Sequence, residues 1–570
     1  MTVVYSHAVP ESLQFRIEFV PRSDYNITVR KFFDERQDIL KKYDYTDYAA
    51  NLLPCIGLGI LCGLFTGIAI FLFRLGAKQA EVLSRFLYRT LEDEPRLIPA
   101  GLLILIIAAL MMALLHKKIP EAKGGGIPRS EGILRGSLRS RWQKTLVGTV
   151  IGSFISYLCG LPLGSEGPAV LIGTSVGDLC GSFAGKQSAA WSRYIMTGGA
   201  GAGFAVATGA PLSAILFALE EIHKRFTPML VLTVSVSVVS ATYVNRLLCG
   251  LAGISPSLFH IEPLAEFSLS HAGWLLLLGI IIALAVGAFD ASLAWMDAVS
   301  KRLTRHLPGV WKLLVVFLVT GVLGIVCSDG IYSGHEVIEA VLAENLAVMP
   351  LLLLLAIRMI MMLLVTNCGA TGGIFIPTLA IGVLTSALAA RLMVLCGMPP
   401  ALHDTVVLLG MCAFIGGTLR APLMASVLFL ELTGQFSDLF CVALVIFTVN
   451  TITELLDQTP FYDRALDKLV REQNRGREPI IACFEMKVAD DAFVVGKSIR
   501  DIMWPASSVV ISITRAAGGR RDNVNDGEKK LYAGDTLVLR CRYFDEAELL
   551  PLLHGLVGND SEILRMNVQR

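Results

Sequence analysis

The residues best suited to chemistry form one short run, Gly164-Ser165-Glu166-Gly167-Pro168, continued by Ala169-Val170-Leu171-Ile172-Gly173. Its carboxylate lies in sequence apolar enough to sit inside a bilayer, where a charge costs a few kcal/mol even on lenient scales. Such a residue is a functional candidate by position alone. Glycines on both sides free the backbone to leave a helix, and Pro168 suits the first turn of a new one. Unpaired N–H groups at a helix start attract anions, so the run reads as a broken-helix anion site carrying its own carboxylate. The competing reading is a carboxylate at the water interface that caps a helix. Other chemistries find less support. Ser165 has no partner histidine within a span, which argues against an intramembrane hydrolase. His335-Glu336 lacks a second histidine at the spacing of a zinc protease.

The elements that must position this run are membrane spans. The chain has 570 residues, 54% hydrophobic and 17% charged, with a mean hydropathy of +0.62. That balance excludes an ordinary soluble protein and marks an all-α polytopic membrane protein. A formal net charge of +1 offers no basic face for nucleic acid. The 12 cysteines are scattered, several within apolar runs (Cys55, Cys62, Cys159, Cys368), without CxxC spacing. They read as packing residues, not as a disulfide framework or a metal site. The opening residues are polar and mixed in charge, without the pattern of a cleavable signal peptide.

After a lead-in over residues 1–48, apolar stretches follow near 52–75, 97–115, 145–163, 193–208, 210–221, 228–248, 272–296, 311–327, 349–366, 374–396, 405–418, 421–433 and 439–455. Several fall short of the roughly 20 residues a full span needs. Short segments interrupted by Gly or Pro mark transporters whose half-helices meet at mid-membrane. Basic residues collect between His116 and Lys144, at Lys224-Arg225, across 301–305 and across 464–475. Glu262, Glu266 and the 329–344 stretch are acidic or neutral by contrast. The positive-inside rule puts the basic loops and both termini in the cytoplasm.

The chain also repeats itself. Ala210-Pro211-Leu212 aligns with Ala421-Pro422-Leu423, and Pro168 to Gly173 aligns with Pro377 to Gly382, at offsets of 211 and 209 residues. Two matches in one order at nearly one spacing imply two halves, about 50–250 and 270–460, with the substrate site expected between them. Beyond residue 476 the composition changes. Strand-like runs at Ile480 to Val488, Ser507 to Arg515 and Thr536 to Arg542, turn signals at Gly518-Gly519 and Ala533-Gly534-Asp535, and a helical pattern at Glu546 to Leu556 imply a small cytoplasmic α/β domain.

Three runs carry a resemblance. Gly124-Gly125-Gly126-Ile127-Pro128, Gly164-Ser165-Glu166-Gly167-Pro168 and Gly373-Ile374-Phe375-Ile376-Pro377 are similar to the GSGIP, GREGP and GxFxP signatures of CLC chloride channels and proton-coupled chloride transporters, in that family's order. Phe461-Tyr462 resembles the segment that carries the family's anion-coordinating tyrosine. The resemblance covers about residues 50–470 and implies the CLC fold of two inverted-topology repeats with broken helices, within a transmembrane domain over 49–470. The tail, 476–570, with Val495-Gly496-Lys497-Ser498-Ile499 and Tyr532-Ala533-Gly534-Asp535-Thr536-Leu537, resembles a TrkA-C (RCK C-terminal) domain. That likeness implies a regulatory module for a small cytosolic ligand, often dimerising; a folded appendage without a ligand is the alternative.

The family resemblance implies the roles of individual residues. Glu166 matches the external gating glutamate: a carboxylate can occupy an anion site and leave it on protonation, coupling anion to proton. Glu221, closing Leu219-Glu220-Glu221, matches the internal proton glutamate; otherwise it is a surface carboxylate paired with Lys224 or Arg225. Glu220 has a counterpart in Glu431, which points to an architectural role. Gly125, Gly126 and Ile127 fall in the first anion loop, Ile374 and Phe375 would offer backbone N–H groups, and Tyr462 its hydroxyl. Core packing and interfacial anchoring are the competing readings of these last three. Two positions depart from the pattern. Gly125 replaces the family's anion-binding serine, a hydrogen bond worth roughly 1.5–3 kcal/mol to an ion. Ser165 replaces an arginine, leaving Lys123 either to compensate or to snorkel at the surface.

The expected activity is secondary active exchange of chloride, or a similar anion, for protons across the cell membrane, by a homodimer without cofactor, metal or enzymatic chemistry. A passive voltage- or proton-gated chloride channel of the same fold is the alternative, and a fluoride-exporting relative fits the motifs less well. A potassium transport protein regulated by its tail is more distant, since no TVGYG-like filter is present.

Overall fold

The computed structural model describes residues 45–566 except 257–258, 260, 262–263, 304–308, 344–345, 517–518 and 520. The lead-in before Tyr45, Glu262, Arg305, Glu344 and Gly518 lie outside the described residues.

A first series of helices comprises α1 (Tyr45–Asp93), α2 (Ile98–Lys118), α3 (Ile127–Leu134), α4 (Trp142–Leu158), α5 (Glu166–Gly181), α6 (Ser188–Thr208), α7 (Pro211–Phe217) and α8 (Pro228–Ala252). A second follows in like order: α9 (Ala272–Leu303), α10 (Val310–Val326), α11 (His335–Ala343), α12 (Val348–Cys368), α13 (Phe375–Leu395), α14 (His403–Leu419), α15 (Pro422–Thr433) and α16 (Leu439–Leu455), with α17 (Phe461–Gln473) leading to the tail. Among the described residues, eight helices are long and apolar enough to cross a membrane. Residue Gly126, with φ at +80°, and Pro128 in the first turn start α3 abruptly inside the fold.

The chain departs from the simple apolar reading in two places. The apolar stretch at 52–75 is only part of a helix that continues to Asp93. Ala80, Ser84 and Tyr88 repeat at four-residue spacing and are buried, so one face stays packed where average hydropathy falls. The stretch at 329–344, read as an acidic loop, contains α11. Its Val337, Ile338 and Val341 are buried, and α11 packs against α13.

Helices α5 and α6 approach so closely that a Cβ at Gly173 or Gly203 would strike backbone of the neighbouring helix. That contact is the small-residue packing expected where lipid supplies no hydrophobic drive between helices.

The tail is a five-stranded sheet in the order β3-β2-β4-β1-β5, antiparallel throughout, built from β1 (Ile480–Lys487), β2 (Ser508–Thr514), β3 (Arg521–Asn523), β4 (Thr536–Tyr543) and β5 (Ile563–Met566). One helix, α18 (Glu546–Val557), accompanies it and contacts α6. The three long strands and α18 fall where strand and helix patterns placed them. The short β3 and β5 carry too few residues to signal a period.

Candidate functional site

Two glycine loops, one from each half of the membrane domain, are joined to each other. Gly164 and Gly373 exchange a pair of backbone hydrogen bonds, both 2.7 Å. Each loop leads directly into a helix, α5 at Glu166 and α13 at Phe375, and the Gly125–Gly126 loop leading into α3 packs on them. A Cβ at Gly373 would lie 2.6 Å from the Gly167 nitrogen and 2.9 Å from the Gly164 oxygen, and one at Gly167 would strike the Gly125 carbonyl. The glycines are therefore required by contact: three helices bring their N-termini together with backbone against backbone. The first-turn N–H groups of a helix have no acceptor within it, so this junction concentrates donors.

Glu166 lies in this junction. Only 2% of its surface is exposed, so it is not a carboxylate at a water interface; its carboxyl approaches its own N–H and that of Ile376 in the first turn of α13. Ser165 donates its hydroxyl to Oε1 at 3.2 Å, while Oε2 has no hydrogen-bond partner among the described residues. Tyr157 steadies the loop by donating to the Gly164 carbonyl at 3.0 Å. A cation also reaches this region: Arg74 on α1 attracts Glu166 electrostatically and donates to the Val206 carbonyl at 2.8 Å.

The expected anion ligands cluster nearby. Ile374 and Phe375 are buried, and Phe375 packs edge-on against Phe204. Tyr462 is wholly buried, and its hydroxyl has no partner among the described residues. The Ile127 N–H is already engaged, donating to the Gly125 carbonyl at 3.0 Å, so that amide is occupied within its own loop. A cavity of about 430 Å³ opens beside Gly125 and Ile374 and is lined by His116, Lys117, Lys312 and Lys468. Lys123 also borders it, but its ammonium pairs with Glu472 at 2.7 Å.

A second buried carboxylate stands apart from the first. Glu221 occupies a π-helical turn, Ala218–His223, and is 1% exposed. Neither of its oxygens has a hydrogen-bond partner among the described residues, and Lys224 turns instead to Asp463 at 2.5 Å. The surface ion pair is thus not formed. Around Glu221 sit residues that sequence reasoning passed over. Glu131 on α3 is fully buried and pairs with Arg135 at 2.5 Å. Arg135 also donates to the carbonyls of Glu221 and Ile222, at 3.2 and 3.0 Å, and lies 3.4 Å from Asp463. Burial pushes the Asp463 carboxyl up, but the Lys224 hydrogen bond and charge, aided by Arg135, outweigh it and hold it below the usual range. The available signal was an i,i+4 acid–base pair, Glu131 and Arg135, on a half-helix too short to be a surface element.

The adjacent Glu220 faces the other way. It accepts from the N–H groups of Leu423 and Met424, at 3.0 and 2.8 Å, at the start of α15. Glu431 returns the contact on Leu212 and Ser213 at the start of α7. Each half of the chain caps a helix of the other, as the pairing of Glu220 with Glu431 implied.

Buried unpaired acids, converging helix starts and a basic-walled cavity define a polytopic membrane protein built to handle anions. Residues 104–454 match the family described as Voltage gated chloride channel, and the chain belongs to that CLC family. Among curated relatives, the H(+)/Cl(-) exchange transporter ClcA of Yersinia pseudotuberculosis serotype IB (strain PB1/+) is 28% identical, over 75% of this chain and 90% of its own. The crystal structure of a slow cyanobacterial Cl-/H+ antiporter superposes with a TM-score of 0.68 at 26% identity, covering 74% of this chain and 99% of that one. A CLC-type fluoride/proton antiporter shares the fold at 21% identity, with a TM-score of 0.60 over 72% of this chain and 97% of that chain.

Proposed function

We propose that this protein exchanges chloride, or a similar anion, for protons across the cell membrane. One observation carries the reading: Glu166, a buried acid with an unpartnered oxygen, sits where the N-termini of α3, α5 and α13 meet. Charged, it competes with an anion for the same N–H donors; protonated, it releases them. Glu166 is the external gate and proton acceptor, and Glu221 the internal relay. The Gly125–Gly126–Ile127 loop contributes through its glycine amides, since the Ile127 N–H is engaged, and the amides of Ile374 and Phe375 and the hydroxyl of Tyr462 complete the anion site. Because Gly125 offers no hydroxyl, selectivity rests on backbone donors and Tyr462. The basic cavity beside Gly125 and Ile374 supplies the anion from one side. The relatives named as exchangers support coupled transport over a passive pore.

In this reading the transmembrane domain spans 49–470, with repeats at about 50–250 and 270–460. Residues 1–48 form a cytoplasmic segment, and both termini face the cytoplasm. Residues 476–570 form a TrkA-C-like regulatory domain that takes a small cytosolic ligand, and the transporter is a homodimer. Proteoliposome flux of anion and proton together, for wild type, Glu166→Ala and Glu221→Gln, tests the core of it. Coupled movement in wild type, lost in both variants while anion still passes, is the expected result. Chloride flux in wild type with no accompanying pH change would replace the exchanger with a channel.

A further inference from the structure

The C-terminal domain meets the membrane domain at the first turns of α6, through part-buried hydrogen bonds and ring packing. Arg193 donates through Nε to the carbonyl of Leu134, the last residue of α3, at 2.8 Å. Through Nη1 it donates to the carbonyls of Met503 and Trp504 in the tail, at 2.7 and 3.1 Å. The next residue, Tyr194, donates its hydroxyl to the Asp501 carbonyl at 2.6 Å. Trp191 and Tyr194 set their rings against Phe493 of the tail, with centroids 5.2 and 5.9 Å away. A guanidinium is a planar fork with five donors, so one side chain ties three carbonyls from two separate segments in fixed geometry.

What Arg193 ties is close to the internal acid. Leu134 is followed by Arg135, the residue that pairs with Glu131 and holds the carbonyls of Glu221 and Ile222. One turn along α6, the Thr197 hydroxyl lies 2.6 Å from Nε2 of His223, two residues beyond Glu221. The charged and titratable groups around this turn are Glu131 and Arg135 from α3 and its end, Glu220 and His223 from the turn itself, Lys224 and Arg225 just after it, Arg193 from α6, and Tyr462 and Asp463 from α17. The last three residues of the turn, Glu221 to His223, are therefore connected, through α3 and α6, to the 501–504 segment of the tail.

We propose that Arg193 is a positioning residue through which the C-terminal domain sets the place of Glu221, so that movement of the 501–504 segment changes how many protons accompany each anion. The inference rests on the exchange reading and on Glu221 as its internal relay. It extends that reading by giving the tail a hydrogen-bonded route to the Glu221 turn.

The test uses the full-length protein in proteoliposomes, with the proton-to-anion ratio taken from the reversal potential under opposed pH and chloride gradients. The variants are Arg193→Gln, Arg193→Lys and Tyr194→Phe. Arg193→Gln is expected to lower the ratio about fivefold while anion flux stays within about twofold of wild type. Arg193→Lys, which keeps a charged donor, restores part of the ratio. Tyr194→Phe removes one hydroxyl and keeps the ring, and is expected to lower the ratio about twofold. An unchanged ratio in Arg193→Gln and Tyr194→Phe overturns the inference. So does a loss of both fluxes in parallel, which is what mere structural damage produces. Should Arg193→Gln not purify as a folded protein, Tyr194→Phe decides by the same two criteria. Wild type that moves anion without protons sinks the exchange reading itself, a separate result visible before any variant is compared.

Discussion

Glu220 and Glu221 are neighbours in sequence, and the structure assigns them opposite consequences on substitution. Glu220 accepts from two helix-start N–H groups of α15, and Glu431 accepts from two N–H groups and a hydroxyl at α7. A hydrogen bond to a charged group contributes about 1.5–3 kcal/mol, and the positive end of the helix adds about 0.3–1 kcal/mol. Glu220 is partly open to water, which recovers some of that, and Gln retains one acceptor oxygen. Glu220→Gln is therefore expected to cost about 2 kcal/mol, and Glu431→Gln, with three bonds at stake, about 3 kcal/mol. At roughly 2–4 °C per kcal/mol, both variants unfold several degrees below wild type. Glu221→Gln removes a buried charge that makes no hydrogen bond, at constant volume, so its thermal stability stays level or rises. The assay pairs thermal unfolding of the purified protein with proteoliposome flux. Glu220→Gln and Glu431→Gln should lower the unfolding temperature and keep the proton-to-anion ratio, whereas Glu221→Gln should keep the temperature and lose the proton. Loss of proton movement in Glu220→Gln at an unchanged unfolding temperature would refute the assignment.

Three further outcomes are expected. Gly373→Ala pushes a Cβ against the Gly167 nitrogen and the Gly164 oxygen, a strain of about 1–3 kcal/mol at the loop junction; anion flux should fall at least tenfold, roughly the rate equivalent of 1.4 kcal/mol. Tyr462→Phe deletes a buried hydroxyl that has no partner among the described residues, so stability should hold or rise by about 1 kcal/mol while calorimetric anion affinity drops. Lys497 in the tail is buried against Phe493 and Trp191, and burial lowers its ammonium to about 8. A base whose folded pKa lies below its unfolded value of about 10.4 is disfavoured when charged, so stability rises as pH climbs from about 8 towards 10. Lys497→Met should flatten that rise in pH-dependent unfolding curves.

The spans were legible because lipid demands continuous apolar sequence, and a lone carboxylate such as Glu166 stands out against it. The loops around Glu166 were legible because backbone-to-backbone contact tolerates only glycine, which leaves a mark in the sequence. Helix α11 was hidden because half its surface is acidic and wet, and composition averages the two faces. Arg135, Asp463 and Glu131 were hidden for a different reason. Each looks like an ordinary charged residue near a membrane edge, and Arg135 and Asp463 meet across 328 residues of chain.

From sequence alone the family, the repeat and Glu166 with its neighbouring glycines could be reached, because each rests on a pattern of residue types, and Glu221 followed from the family resemblance. Tertiary structure decided which acids are buried, that Glu220 and Glu431 cap helices across the halves, and that the tail grips α3 through Arg193. Those outcomes depend on which distant groups arrive at the same point, and desolvation acts on that meeting and not on the order of residues.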